Sequence, residues 1–382
     1  MSPNPRSAHV AILGAGIIGL ACAWELVQRG AYITLYDTQT PGRGASWAAA
    51  GMLAPAFEAA AEDGAHPRLF DLCMESAGLW PAFAASVSQA SGRDLGFSPG
   101  PSLALAFDGA EAAGLHRLCA ALTRHGVESD MLLPEAVWDI EPAVSRGVHG
   151  ALMLPTDGQV DNRAIVAALI AALGAHERVR FVTVPAPLED RDGRLSIEGH
   201  DMILAAAGWN TAAIKVRQNG EEFSLLNWDT ALDEIDCYGG QMLSVSREAG
   251  LPSMTVRCGG IYIAPKPDRV IIGATMEPGR ATLQADADTI AGLRAEAARL
   301  CPAIAYAPEL ETWAGVRPGT LDHAPLIGLT RAEGLFVASG HYRNGILLAP
   351  VTAKIMADRM LDGKTGELAA AFSPARFAAA TA

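Results

Sequence analysis

The chain has 382 residues, enough to bury a large core and, by length, to form about two domains. Half of the residues are hydrophobic and 19% are charged, which excludes a disordered or fibrous chain. A formal net charge of −13, with no run of Lys and Arg to displace counterions, argues against a nucleic-acid binder.

Cys22, Cys73, Cys119, Cys237, Cys258 and Cys301 form no Cys-x-x-Cys pair. Neither a disulfide framework nor a zinc site is indicated, and a reducing cytoplasm fits best. The nine histidines lack close ligand spacing, so no metal is expected. Arg6 followed by the apolar run Val10–Ala21 has the outline of a signal peptide, but the glycine pattern inside that run accounts for it better. Ala164–Ala175 is too short to span about 30 Å of hydrocarbon and reads as a buried helix; no transmembrane segment is expected.

Val10–Leu13 is a short apolar run of the buried-strand type, followed by Gly14-x-Gly16-x-x-Gly19 and a helical pattern to about Arg29. Gly14 would permit the tight turn, Gly16 the approach of a pyrophosphate, and Gly19 close packing of helix on strand. The helix's unpaired N–H groups and positive dipole end would face the phosphates. A second strand, Tyr32–Tyr36, ends in Asp37, placed to bind ribose hydroxyls about 20 residues after the turn. This unit fits FAD and NAD equally.

Thr40–Gly44 is a Gly/Pro loop leading into Ala45-Ser46-Trp47-Ala48-Ala49-Ala50-Gly51-Met52, small residues suited to close approach of a flat ligand or simply to packing. Helices are predicted over His66–Ala90, Glu111–Gly126, Asp161–Gly174 (capped by Asp161), Asp286–Leu300 and Gly345–Met360. Strands are predicted at Ser102–Phe107, Val179–Val184, Arg194–Ile197, Met202–Ala205 and Leu335–Ser339. Gln241–Val245, Gly260–Ala264 and Arg269–Gly273 suggest an antiparallel sheet turned by Pro265–Asp268. The acidic stretch Arg217–Asp236 reads as a solvated loop, with a lid over a pocket as the alternative. The fold expected is α/β (α+β overall): a discontinuous Rossmann-like nucleotide domain with an antiparallel-sheet domain inserted into it.

Trp313-Ala-Gly-Val-Arg317-Pro318, Asp322-His323-Ala-Pro325-Leu-Ile-Gly328 and Gly340-His341-Tyr342-Arg343-Asn344-Gly345-Ile346-Leu347-Leu348-Ala349-Pro350 closely resemble glycine oxidases of the thiamine-pathway type, in the D-amino-acid oxidase family. The resemblance also takes in the opening glycine turn, Ser46–Met52, Gly208-Trp209, Gly240-Gln241-Met242 and Gly273–Gly279. It implies noncovalent FAD rather than NAD, a two-domain fold, a homo-oligomer, and oxidative deamination with oxygen as acceptor. The division expected is 1–88, 155–215 and 318–382 for FAD, and 89–154 and 216–317 for substrate.

By the same resemblance Arg317 is the carboxylate-binding arginine, Tyr262 the substrate-side tyrosine, Met276 the pocket methionine and Arg343 a second active-site arginine. Arg317 offers a planar fork of donors for a carboxylate, the Tyr262 hydroxyl a further bond, and Met276 an adjustable apolar wall. The plain alternatives are a salt-bridge arginine, an interior tyrosine and a core methionine. Cofactor contacts are implied for Gly14, Gly16, Ile17, Ile18, Gly19 and Asp37 at the turn, and for Ser46, Ala49, Ala50, Gly51 and Met52. Further ones fall on Val184, Ala207, Gly208 and Trp209, and on His341, Arg343, Asn344, Gly345, Ile346, Leu347 and Leu348. Gly345–Leu348 would begin the last helix beside the flavin pyrimidine edge, where a helix N-terminus stabilises negative charge. His341 reads as a packing residue rather than a base.

The reaction implied converts glycine to glyoxylate, ammonia and hydrogen peroxide, with no metal or protein nucleophile, because the cofactor carries the chemistry. A D-amino-acid oxidase or sarcosine-type amine oxidase is the nearest alternative. A dehydrogenase with another electron acceptor and a non-catalytic flavoprotein stand further off.

Overall fold

The computed structural model describes residues 7–59 and 65–377; Arg6, the flank of the apolar run considered above, lies outside the described residues. Its first layer is a sheet in the order Leu326–Leu329, Leu335–Ser339, Met202–Ala205, His9–Leu13, Tyr32–Tyr36, Val179–Val182. All neighbours run parallel except the Leu326–Leu329 edge strand, which is antiparallel. The opening strand is buried on both sides because successive side chains alternate. Val10 and Ile12 enter the core under the helices Ile17–Gln28, Leu69–Ser91, Asn162–Gly174 and Ala349–Asp362. Ala11 and Leu13 face the opposite core.

The second layer is a nine-stranded mixed sheet built around Asp236–Ser246. Alternation again gives it two different faces. Leu243, Val245, Ile263, Val270 and Ile272 pack under the Ala287–Leu300 helix. Met242, Tyr262, Ala264 and Ile271 turn the other way, toward Ala48 and Ala50 of the small-residue segment. A two-residue ribbon, Met52–Leu53 against Gly158–Gln159, joins the segments that cross between the layers.

The acidic stretch is neither a loop nor a lid. Lys215–Gln218 and Glu221–Ser224 pair antiparallel, and Lys215–Gln218 also joins Glu189–Arg191 in a small four-stranded sheet. Asn219 and Gly220 turn the hairpin at φ 52° and 87°, the pair of positive values that a two-residue hairpin needs. Val216, Leu225, Leu232 and Ile235 bury into the core behind the nucleotide-side sheet. The 216–235 stretch therefore packs with that layer, and the chain re-enters the large sheet at Asp236.

Two further expectations are corrected. The closing helix spans Ala349–Asp362, not Gly345–Met360, because Pro350 favours the first helical turn and Gly345–Leu348 form a turn ahead of it. Glu309–Gly319, unassigned from the sequence, is an 11-residue strand paired along Asp236–Ser246, and it carries Arg317. Among the described residues no helix is long and apolar enough to cross a membrane; Ala164–Gly174 belongs to the buried helix Asn162–Gly174.

Candidate active site

A single cavity of about 980 Å³ runs between the layers, from the glycine turn to Tyr262 and Arg317. That volume is at the upper end of the range for cofactor and ligand pockets.

At one end it is bordered by Gly14, Gly16, Ile17, Ile18 and Asp37. Gly14 has φ 112°, and a Cβ there would stand 2.5 Å from the Ala206 carbonyl oxygen, so only glycine makes this turn. Gly19 lies outside the cavity; its missing Cβ lets the helix rest on the Gly14 carbonyl, which is the packing role expected of it. Asp37 accepts from the Ala15 N–H at 2.8 Å and the Gln39 N–H at 2.9 Å, bracing the turn while bordering the cavity. Ser46 accepts from the Ile17 N–H at 2.8 Å. The Gly16 and Ile18 amides beside it carry no hydrogen bond among the described residues, as a helix N-terminus awaiting an anion would leave them.

Ala49, Ala50, Gly51 and Met52 continue the wall, with Ala207, Gly208 and the half-exposed Trp209 and Val184 opposite. Asn162 Nδ2 donates to the Ser46 and Trp47 carbonyls, both at 2.9 Å, and so fixes the small-residue segment. His341, Arg343, Asn344, Gly345 and Ile346 border the cavity further in. Asn344 Nδ2 is buried with no hydrogen-bond partner, a donor aimed at an acceptor that the protein does not supply. These donors fit a flavin dinucleotide: the free Gly16 and Ile18 amides would hold its diphosphate, and Asn344 Nδ2 would donate to it. Leu347 and Leu348 do not border the cavity. They are core residues, and the Leu347 carbonyl accepts from Ser76 Oγ at 2.6 Å and Trp80 Nε1 at 2.8 Å, anchoring the turn from behind. Burial pushes the His341 ring down to about 3, and its Nε2 meets Thr352 Oγ1 at 3.0 Å; it is neutral and structural.

At the other end the structure brings together Tyr262, Met276, Arg317 and Arg343. Arg317 Nη1 donates to the carbonyls of Gly239 and Thr275, both at 3.2 Å. Its Nε and Nη2 have no partner among the described residues, so the fork is held at one tip and open at the others. Gly240 makes room for it: a Cβ there would stand 2.6 Å from Nη2 and closer still to Nη1. Burial pushes the Tyr262 phenol up, against the pull of the Arg317 and Arg257 guanidiniums, so it remains a donor. Met276 is 44% exposed rather than a closed apolar wall, and its sulfur accepts from Tyr342 Oη at 3.3 Å. Arg343 donates from Nε to the buried Glu58 at 2.8 Å, so it reaches the cavity already paired.

Sequence reasoning missed Phe57, Glu58 and Arg257, all on the cavity wall, and Asp157 behind them. Arg257 sits on the Thr255–Cys258 strand directly opposite Tyr262, and no motif surrounds it. Burial raises Asp157 to about 6 and lowers Arg257 to about 10. The pairing register with Tyr262 is the signal that would have found it.

The chain is similar to known proteins along nearly its whole length. The chain is 33% identical to the glycine oxidase of Geobacillus kaustophilus over 96% of each chain. It is 34% identical to the bifunctional protein ThiO/ThiG of Synechocystis over 98% of its own length, but it spans only 55% of that protein, about half. The crystal structure of the Geobacillus kaustophilus glycine oxidase superposes with a TM-score of 0.83 at 30% identity, covering 97% of this chain and 98% of that one. The model of the FAD dependent oxidoreductase family (DAO) matches residues 9–359. The chain belongs to the FAD dependent oxidoreductases of the D-amino-acid oxidase family.

Proposed function

We propose that the protein oxidatively deaminates a small amino acid, glycine first, to the keto acid, ammonia and hydrogen peroxide, with oxygen as electron acceptor. The observation that carries this reading is Arg317, a guanidinium with two free donor positions and no carboxylate partner among the described residues, at the far end of the cavity from the glycine turn. FAD, when bound noncovalently, supplies hydride acceptance and reoxidation by oxygen.

The side chains do the positioning. Arg317 Nε and Nη2 would hold the two oxygens of the substrate carboxylate, and Tyr262 Oη would donate to one of them. Met242 and Ala50 would supply apolar wall for the substrate, and Met276, held by Tyr342, its more open side. Burial makes His341 a weak base and its Nε2 is engaged by Thr352 Oγ1, so in this reading the amine enters already deprotonated. The same family reading makes the protein a cytoplasmic homo-oligomer; six free cysteines support a reducing compartment.

The test is the visible spectrum of the anaerobic holoenzyme on adding glycine, sarcosine and D-alanine separately. Bleaching of the flavin band by glycine is expected. A flavin that none of them reduces would remove this reading.

A further inference from the structure

Two ion pairs border the substrate end, and they differ: Arg343 is exposed and only its Glu58 partner is buried, whereas Arg257 and Asp157 are both largely buried. Arg343 donates to Glu58 at 2.8 Å, a made hydrogen bond. Arg257 stands 3.8 Å from Asp157 Oδ2, beyond hydrogen-bond reach. Its guanidinium lies 3.6 Å over the Phe57 ring, and its Nε is buried with no partner. Among the described residues this side chain, 12% exposed, makes no hydrogen bond at all. Asp157 balances the charge and spends its other oxygen on the Ala56 N–H at 3.2 Å. Arginine placed this way is stacked, neutralised and oriented, yet all five donors remain unused.

Arg257 borders the same cavity as Arg317, and Tyr262 lies within electrostatic reach of both. We propose that Arg257 is a second carboxylate receptor, so that the site accepts amino acids bearing a second carboxylate, carried on the amine nitrogen or on the side chain. This rests on the cavity being a flavin amine-oxidase site. With such a substrate Arg317 takes the carboxylate next to the reacting carbon and Arg257 the distant one.

For iminodiacetate the Cα–H bond would break with its hydrogen and electron pair ending on oxygen, bound FAD supplying the hydride acceptance, and the nitrogen would give up its proton as C=N forms. Water then adds and the C–N bond breaks. Iminodiacetate, O2 and H2O become glycine, glyoxylate and H2O2. D-Aspartate in the same way gives oxaloacetate, ammonia and H2O2.

The experiment is oxygen uptake by the FAD-loaded enzyme with iminodiacetate against sarcosine and D-aspartate against D-alanine, in the native protein and in Arg257→Met. At least one diacid should exceed its monoacid counterpart in kcat/KM, and that ratio should fall about 30-fold or more in the variant, as for loss of a buried charge-pair partner. Which diacid responds tells where the second carboxylate sits. Ratios below one in the native enzyme for both pairs, or a ratio that Arg257→Met leaves unchanged, would overturn the proposal. If Arg257→Met does not hold flavin, the double variant Asp157→Asn with Arg257→Met removes both buried charges together and is judged by the same ratio. Glycine turnover with both ratios below one sinks Arg257 alone; a flavin reduced by none of these compounds sinks the amine-oxidase reading as well.

Discussion

At its nucleotide end the cavity is walled by backbone and small side chains: the Gly14–Ile18 turn, Ala49, Ala50 and Gly208. At its substrate end it is walled by long polar side chains delivered from separate strands, Arg257, Tyr262 and Arg317. The first end offers peptide N–H groups and room left by absent Cβ atoms, which few neighbouring residues fix. The second offers charge, and its geometry depends on the pairing register of the nine-stranded sheet.

If the two ends divide labour in this way, a change at one should spare the other. Arg317→Ala should lower anaerobic flavin reduction by glycine about 1,000-fold, the loss of a paired carboxylate clamp, while the bound-flavin spectrum stays native. Equal loss of flavin and of activity would show the ends to be one unit. Acid should act between the ends, through His341. Its ring titrates at about 3 when folded and near 6.5 otherwise, so above pH 6.5 it is neutral in both states. Below that the unfolded chain takes the proton first, and stability is lost as pH falls from 6.5 toward 3, by about 1.4 kcal/mol per pH unit. Urea unfolding at pH 7 and pH 5 should show His341→Asn losing about 2 kcal/mol less than the native protein; an identical loss would mean that the folded ring charges freely. The smallest effect is expected at Asn344. Asn344→Ala should weaken FAD about fivefold in a titration of the apoprotein, one hydrogen bond's worth, with kcat nearly unchanged. No weakening would take Asn344 Nδ2 out of the flavin site.

Legibility in the sequence followed the same divide. The opening strand, glycine turn and Asp37 are contiguous chemistry, and the structure gathers them at one end of the cavity. Asp161 caps its helix as read, accepting the Arg163 and Ala164 N–H groups; Asp286, read as the first residue of its helix, is the cap there and accepts from the Thr289 N–H. Arg317, Tyr262, Met276 and Arg343 came from resemblance rather than pattern, and the geometry that unites them is a matter of sheet register. Arg257 had neither motif nor resemblance to mark it. The hairpin at Asn219-Gly220 was readable, since Asn-Gly between short runs is a turn signal, but the acidic residues around it masked the alternation that buries Val216. Gly345–Leu348 misled because apolar residues held by Trp80 and Ser76 look like helix in the sequence.

That acidic stretch adds to the protein's negative charge. Glu221 and Glu222 lie on the Glu221–Ser224 strand of the small sheet and Asp233 and Glu234 on the Thr230–Glu234 turn after it, none of them bordering the cavity, in a chain with net charge −13 and pI about 5.1. Like-charge repulsion between molecules keeps such a surface apart at neutral pH and vanishes as the pI is approached. These four charges lie off the cavity wall. Asp229 is the exception: it is buried and holds the Ala231 and Arg331 N–H groups. The other four carboxylates can be exchanged for lysine or a tag without reaching the chemistry.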